Sequence, residues 1–133
     1  MKRYYIDTCV LKWLFEGSKR VRSIIYDMEY YQGDFAVSTE VLTEFINLLA
    51  SGKIKLDIDY KKLIEKLADS NIKIYAFEKQ HLKYLFDLPY FSEHKDPIDR
   101  NIIAHAIADK RILISGDGNF ALYEKHGLQL LEI

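Results

Sequence analysis

Hydrophobic and polar positions follow two rhythms along this chain, and the switches between them divide it into short strands and helices. Arg3 to Ile6 is a β-rich run that stops at Asp7-Thr8, after which Val10, Leu11 and Leu14 recur at helical spacing. The opening therefore reads as a strand running into a helix. Past Gly17-Ser18, Val21 to Tyr31 reads as a second helix. Phe35 to Val37 forms a compact strand ending at Ser38-Thr39, and Val41, Leu42, Phe45, Leu48 and Leu49 make the apolar stripe of a third helix. Ser51-Gly52-Lys53 breaks that helix. Asp57 to Asp69 is predicted helical, Ile72 to Phe77 alternates as a third strand, and Glu78 to Phe86 is a short helix stopped by Leu88-Pro89. Beyond a polar loop, Asp96-Pro97 opens a helix carrying Ile98, Ile102, Ile103, Ala106 and Ile107. Arg111 to Ile114 is a fourth strand, Asn119 to Lys125 a last helix, and Leu128 to Ile133 a terminal strand. Such alternation, without repeats or a low-complexity linker, predicts one α/β domain over residues 1–133 with a mostly parallel sheet of about five strands.

Composition agrees with this. At 133 residues, 49% hydrophobic and 14% aromatic, the chain has apolar mass for a core, which excludes a disordered segment. No apolar run reaches the roughly 18 to 20 residues of a membrane span, and the N-terminus meets charge too early for a signal peptide, so a cytoplasmic protein is expected. The lone cysteine, Cys9, rules out an internal disulfide and a Cys-based zinc site; it reads as a small buried hydrophobe. The balance of 19 basic against 20 acidic residues gives a net charge of −1 and no global basic field for nucleic acid. If several carboxylates are metal ligands, however, the remaining surface is mildly basic.

The position of the acids matters more than their number. In an open parallel sheet the functional crevice lies at the carboxyl ends of the strands, and Asp7, Ser38-Thr39 and Ser115-Gly116-Asp117 all terminate predicted strands. Glu44 shares a helical face with Val41 and Leu48, and Asp99 shares one with Ile103 and Ala106. Each acid has an ordinary explanation when taken singly. Glu44 can snorkel from the edge of its face, Asp96-Pro97-Ile98-Asp99 resembles a capping box, Asp117 suits a turn, and Glu40 complements a helix dipole. Considered jointly, four carboxylates converging on one rim cannot all stay ionised without a cation between them, and oxygen-only ligands point to Mg²⁺ or Mn²⁺ and to phosphoryl chemistry.

This constellation resembles the PIN-domain ribonucleases. Tyr5-Ile6-Asp7-Thr8-Cys9-Val10-Leu11 and His94-Lys95-Asp96-Pro97-Ile98-Asp99-Arg100 are similar to the VapC toxins of type II toxin–antitoxin systems. The resemblance runs nearly end to end. It includes Ser38 six residues before Glu44, Gly52-Lys53-Ile54, Asp99 with Ala104 and Ala106, and Ser115-Gly116-Asp117 followed by Phe120 and Tyr123, with the Asp-Pro-x-Asp-Arg block its most specific piece. It implies a three-layer α/β/α sandwich and a Mg²⁺-dependent endoribonuclease that acts on RNA. By the same resemblance Asp7, Glu44, Asp99 and Asp117 are the metal-binding and catalytic quartet. Ser115 takes the place of a threonine that orients a water or a ligand, and Asp96 is a cap, an outer-shell group or a further ligand. The implied partners are a small antitoxin and a second copy of the chain. Two departures stand out: Ile98 where Phe is more usual, and His105 where Gln is more usual.

Other residues read less sharply. Arg100 and Lys95 are candidates for RNA phosphates, against an ion pair with the acids for Arg100 and simple solvation for Lys95. His81, His94 and His126 read as surface or structural. Trp13 and the tyrosines at 4, 5, 26, 30 and 31 read as core or interface. The apolar faces of the first three helices, including Leu14, Phe15 and Ile25, exceed what one sheet face covers, and the resemblance implies that such helices make an antitoxin groove and a homodimer contact. Two rival functions stay open, a PIN nuclease in RNA processing without an antitoxin and a catalytically silent PIN-like binding module. A Rossmann-type phosphohydrolase lacks an Asp-x-Asp pair or a Gly-rich loop to support it.

Overall fold

The computed structural model of the protein describes residues 1–26, 28 and 33–133. Five strands, β1 (Arg3–Ile6), β2 (Asp34–Ser38), β3 (Ile72–Tyr75), β4 (Ile112–Ser115) and β5 (Gln129–Glu132), form one sheet in the order β3-β2-β1-β4-β5. Every pairing is parallel, with Tyr4 between Phe35 and Ile112. The helices are α1 (Thr8–Glu16), α2 (Arg22–Tyr26), α3 (Thr39–Ala50), α4 (Tyr60–Asp69), α5 (Leu82–Asp87) and α6 (Pro97–Asp109). Tyr4, Tyr5 and Ile6 are all buried although successive side chains point to opposite faces, so the central strand is covered on both sides, as a layered α/β fold requires. Buried Arg111 fastens the start of the sheet by donating to the carbonyls of Tyr4 and Asp34 and to the Asp34 carboxylate.

The chain leaves β1 toward β2 and β3 on one side and reaches β4 and β5 on the other, so the order reverses between β1 and β4. Ligands of open α/β sheets bind beyond the carboxyl ends of the strands at such a point. Asp7 follows β1 and Gly116-Asp117 follows β4. Gly116 lets this rim close, because a Cβ there would fall 2.5 Å from the Trp13 ring.

Several elements differ in length from the sequence reading. Gly17 in a left-handed conformation ends α1, Ser18 caps a 3-10 turn over Lys19–Val21, and α2 is described only over Arg22–Tyr26. The remainder of the helix predicted to Tyr31, apart from Met28, lies outside the described residues. The helix expected from Asp57 starts instead at Tyr60, because the Asp59 carboxylate accepts the Lys62 N–H at 2.8 Å. The third strand stops at Tyr75, and Glu78 opens a 3-10 turn over Lys79–His81 before α5. The last predicted helix is a 3-10 helix, Gly118–His126. Phe120 and Tyr123, both fully buried and three residues apart, lie on the same side of a three-residue turn.

Candidate active site

Asp7 joins two strands and one helix. Its N–H donates to the Ile114 carbonyl at 3.0 Å, tying the ends of β1 and β4, and its Oδ1 accepts the Thr8 N–H at 2.8 Å as the cap of α1. Its Oδ2 accepts the Ser115 hydroxyl at 2.7 Å. That buried hydroxyl in turn accepts the Asp117 N–H at 3.0 Å, so Ser115 positions both flanking acids rather than pointing into open space. Asp117 caps the following 3-10 helix through Asn119.

Two helices that begin at the same rim bring the other acids. Ser38 caps α3 and places Glu44, half-buried, on its inner side. Asp96 caps α6, accepting from the N–H groups of Ile98 and Asp99, with Pro97 at the first helical position. The Asp99 carboxylate turns instead to His94, whose Nε2 lies 3.1 Å from Oδ2. Glu44, Asp96 and Asp99 each offer an oxygen within 4.8 Å of the others, and Asp99 and Asp117 do so with His94. Asp7, Glu44, Asp96, Asp99 and Asp117 line one cleft of about 370 Å³. The sequence-predicted quartet and Asp96 are thus brought together.

Crowding of like charges marks this cleft. Asp99 is pushed up to about 8, chiefly by burial and then by Asp96, Asp7, Glu44 and Asp117. Asp7 is pushed up to about 6, again mainly by burial, with the Ser115 and Thr8 hydrogen bonds opposing and Glu44 adding. Among the described residues no Lys or Arg forms an ion pair with any of the five acids. Thr8 Oγ1, in the same cleft, is buried without a hydrogen-bond partner. Hard carboxylate donors, acids unpaired with any Lys or Arg among the described residues, and an orphaned hydroxyl fit a divalent cation and its hydration shell.

The basic residues fall differently from the sequence reading. Arg100 donates to the carbonyls of Pro89 at 2.8 Å and Leu88 at 3.1 Å, so its guanidinium holds the preceding loop. Lys95 is exposed and does not line the cleft; Lys12 and Lys53 do. Lys12 was detectable only as the residue one turn past Thr8 on α1, and Lys53 as the middle of Gly52-Lys53-Ile54. His94 and His81 are buried, while His126 is exposed. Tyr4 and Tyr5 are core residues, Tyr26 is exposed, and Tyr30 and Tyr31 lie outside the described residues. Glu40 does more than complement a helix dipole: its Oε2 lies 2.9 Å from Nδ1 of fully buried His105, whose Nε2 is 3.1 Å from Asp109.

Fold and cleft together define an α/β protein able to hold a divalent cation at the switch point of its sheet. The chain belongs to the PIN-domain family, whose sequence model matches residues 4–125; PIN domains are generally nucleases, and PIN nucleases generally use divalent metal ions. Its fold is similar to that of VapBC2 from Rickettsia felis bound to a DNA fragment from its promoter, with a TM-score of 0.70 at 18% identity over 98% of each chain. DNA-bound VapBC from Salmonella typhimurium gives a TM-score of 0.69 at 14% identity, covering 99% of this chain and 98% of that one. VapBC-1 from nontypeable Haemophilus influenzae gives 0.70 at 17% identity, covering 97% and 96%. No curated protein sequence matches the chain. Among the described residues no helix is long and apolar enough to cross a membrane.

Proposed function

We propose that this protein is a Mg²⁺- or Mn²⁺-dependent endoribonuclease and the toxin of a VapBC-type pair. The observation that carries this reading is the meeting of Asp7, Glu44, Asp99 and Asp117 in one cleft at the switch point, none of them in an ion pair with a Lys or Arg among the described residues. Those four carboxylates would hold the ion, while the Asp96 carboxylate caps α6 through the N–H groups of Ile98 and Asp99. When bound, the ion supplies Lewis acidity at the phosphodiester and a water acidic enough to attack near neutral pH. The chain's own residues do the rest. Ser115 fixes the Asp7 carboxylate, Thr8 offers its free hydroxyl inside the cleft, and Lys12 and Lys53 set positive charge at its wall against RNA phosphates.

A second concavity of about 370 Å³ supports the partner half of the reading. Leu11, Leu14, Phe15, Ile25 and Met28 line it, with Lys66 and Asp69 adding charge, which is the chemistry an amphipathic antitoxin segment requires. Leu82 and Phe86 on α5, exposed in the single chain, suit a homodimer contact. The protein would meet its RNA in the cytoplasm.

The test is RNA cleavage by purified protein in Mn²⁺ and in EDTA, together with growth on expressing the chain alone and with a neighbouring small open reading frame. Metal-dependent cleavage with growth arrest relieved by the neighbour supports the proposal. Cleavage without arrest favours an RNA-processing nuclease, and no cleavage and no Mn²⁺-induced rise in melting temperature favours a silent binding module.

A further inference from the structure

Buried His94 touches the acidic cleft and has no part in the function proposed for it. His94 is 4% exposed, sits in the loop before α6, and places each ring nitrogen against a different partner. Its Nδ1 lies 2.8 Å from the hydroxyl of fully buried Tyr123, and its Nε2 lies 3.1 Å from Asp99 Oδ2. The ring is clamped by edge contacts with Phe120 and Tyr123, at centroid distances of 5.4 Å each. An ionised carboxylate can only accept, so the proton between His94 and Asp99 sits on Nε2, and the Nδ1 of that neutral imidazole accepts the Tyr123 hydroxyl. The donor direction therefore runs from Tyr123 through His94 to Asp99.

We propose that His94 is a positioning residue for the metal site: it holds Asp99 Oδ2 through Nε2–H and leaves Asp99 Oδ1 turned toward the other carboxylates. The inference rests on Asp99 being a ligand and goes beyond that reading by naming what orients it. Asp99 needs such a partner. It starts a helix whose cap, Asp96, takes no part in holding its side chain, and its acidic neighbours repel it. A donor held at Asp99 Oδ2 fixes one rotamer. Histidine–carboxylate pairs around metals act in this way, and losing the outer partner lowers metal affinity about 10- to 100-fold.

The experiment is Mn²⁺ titration of the full chain by calorimetry, with melting curves in EDTA for the same variants. His94→Asn keeps a group near the Nδ1 position for Tyr123 and gives up the reach to Asp99. His94→Gln reaches Asp99 and gives up Tyr123. Mn²⁺ affinity is expected to fall about 10- to 100-fold in the Asn variant, with part of the loss restored in the Gln variant. If affinity is unchanged in the Asn variant, or falls equally in both in step with their melting temperatures, the proposal is overturned and His94 is structural only. Should His94→Asn fail to fold, Tyr123→Phe decides: a several-fold loss of Mn²⁺ affinity at a near-parental melting temperature supports the proposal, and parental affinity overturns it. Asp99→Asn separates the two levels of the argument. If Asp99→Asn binds Mn²⁺ like the parent, the metal-site reading itself fails; if it loses Mn²⁺ while the His94 variants do not, only the role of His94 falls.

Discussion

The Ser115 hydroxyl donates to Asp7 Oδ2 at 2.7 Å across 108 residues of sequence, and with the Asp7 N–H to Ile114 carbonyl bond it joins the ends of β1 and β4 where the sheet order reverses. The same oxygen accepts the Asp117 N–H, so one hydroxyl holds both acids that follow the two strands. Ser115→Ala removes a donor from a buried carboxylate and an acceptor from a backbone N–H. Stability is expected to fall by about 1–3 kcal/mol. Because the Ser115 bond opposes the upward shift of Asp7, its loss should move the acidic limb of a pH–rate profile to higher pH. Ser115→Thr, which keeps the hydroxyl, should retain the parental profile; chemical denaturation and pH–rate curves check both points.

The raised carboxyls give the metal-free protein a characteristic pH dependence. Asp7 at about 6 and Asp99 at about 8 lie above their ordinary carboxylate range, so the folded state binds more protons than the unfolded state between roughly pH 4 and 8. Their stabilising contribution is present at low pH and is lost as pH rises through about 6 and then about 8. In EDTA the melting temperature is expected to decline from pH 5 to 8 on this account. Saturating Mn²⁺ should remove most of the decline, since the ion favours the ionised carboxylates, and binding should release protons. Calorimetry in two buffers of different ionisation enthalpy measures that release, and a metal-free melting temperature that climbs across the same interval would sink the assignment.

Metal identity gives a third expectation. An all-oxygen donor set favours hard cations, so RNase activity should vanish in EDTA and return with Mg²⁺ or Mn²⁺, while zinc restores it poorly. Cleavage of a labelled single-stranded RNA across the three metals is the measurement. Full activity in EDTA would remove the metal mechanism.

Much of this was readable from the chain. The parallel α/β order followed from period changes, and Asp7, Glu44, Asp99 and Asp117 were found because each lies where a strand ends or a helix faces inward. Those are local signals. What the sequence concealed depends on partners distant in the chain or on cap choices among equivalent residues. The helix read from Asp57 begins at Tyr60, because the Asp59 carboxylate takes the Lys62 N–H. Arg100 reads as a candidate for RNA phosphate or for an ion pair with the acids, and the sequence does not show that its guanidinium reaches carbonyls 11 and 12 residues back. His94 reads as surface or structural from the sequence, and nothing local announces which, because Tyr123, 29 residues later, is what it bonds. The partners of His105 were hidden for the same reason: Glu40 is 65 residues away.

The last prediction separates ligand from cap at Asp96-Pro97-Ile98-Asp99. Asp96 accepts the N–H groups of Ile98 and Asp99, so Asp96→Ala should lose roughly 0.5–2 kcal/mol of stability, as other helix caps do. Asp99 does not spend its carboxylate on capping. It faces His94 on one side and the other acids on the rest, and burial with their repulsion pushes it up to about 8. Replacing Asp99 by Asn relieves that repulsion while preserving shape. In EDTA the Asp99→Asn melting temperature is therefore expected to hold or rise, whereas RNA cleavage in Mn²⁺ is expected to disappear. A simple capping partner would behave in the opposite way, losing a few tenths to about 1 kcal/mol and keeping its activity. Melting curves in EDTA beside cleavage assays in Mn²⁺ distinguish the two, and an Asp99→Asn protein that melts lower yet still cuts RNA would falsify its place in the quartet.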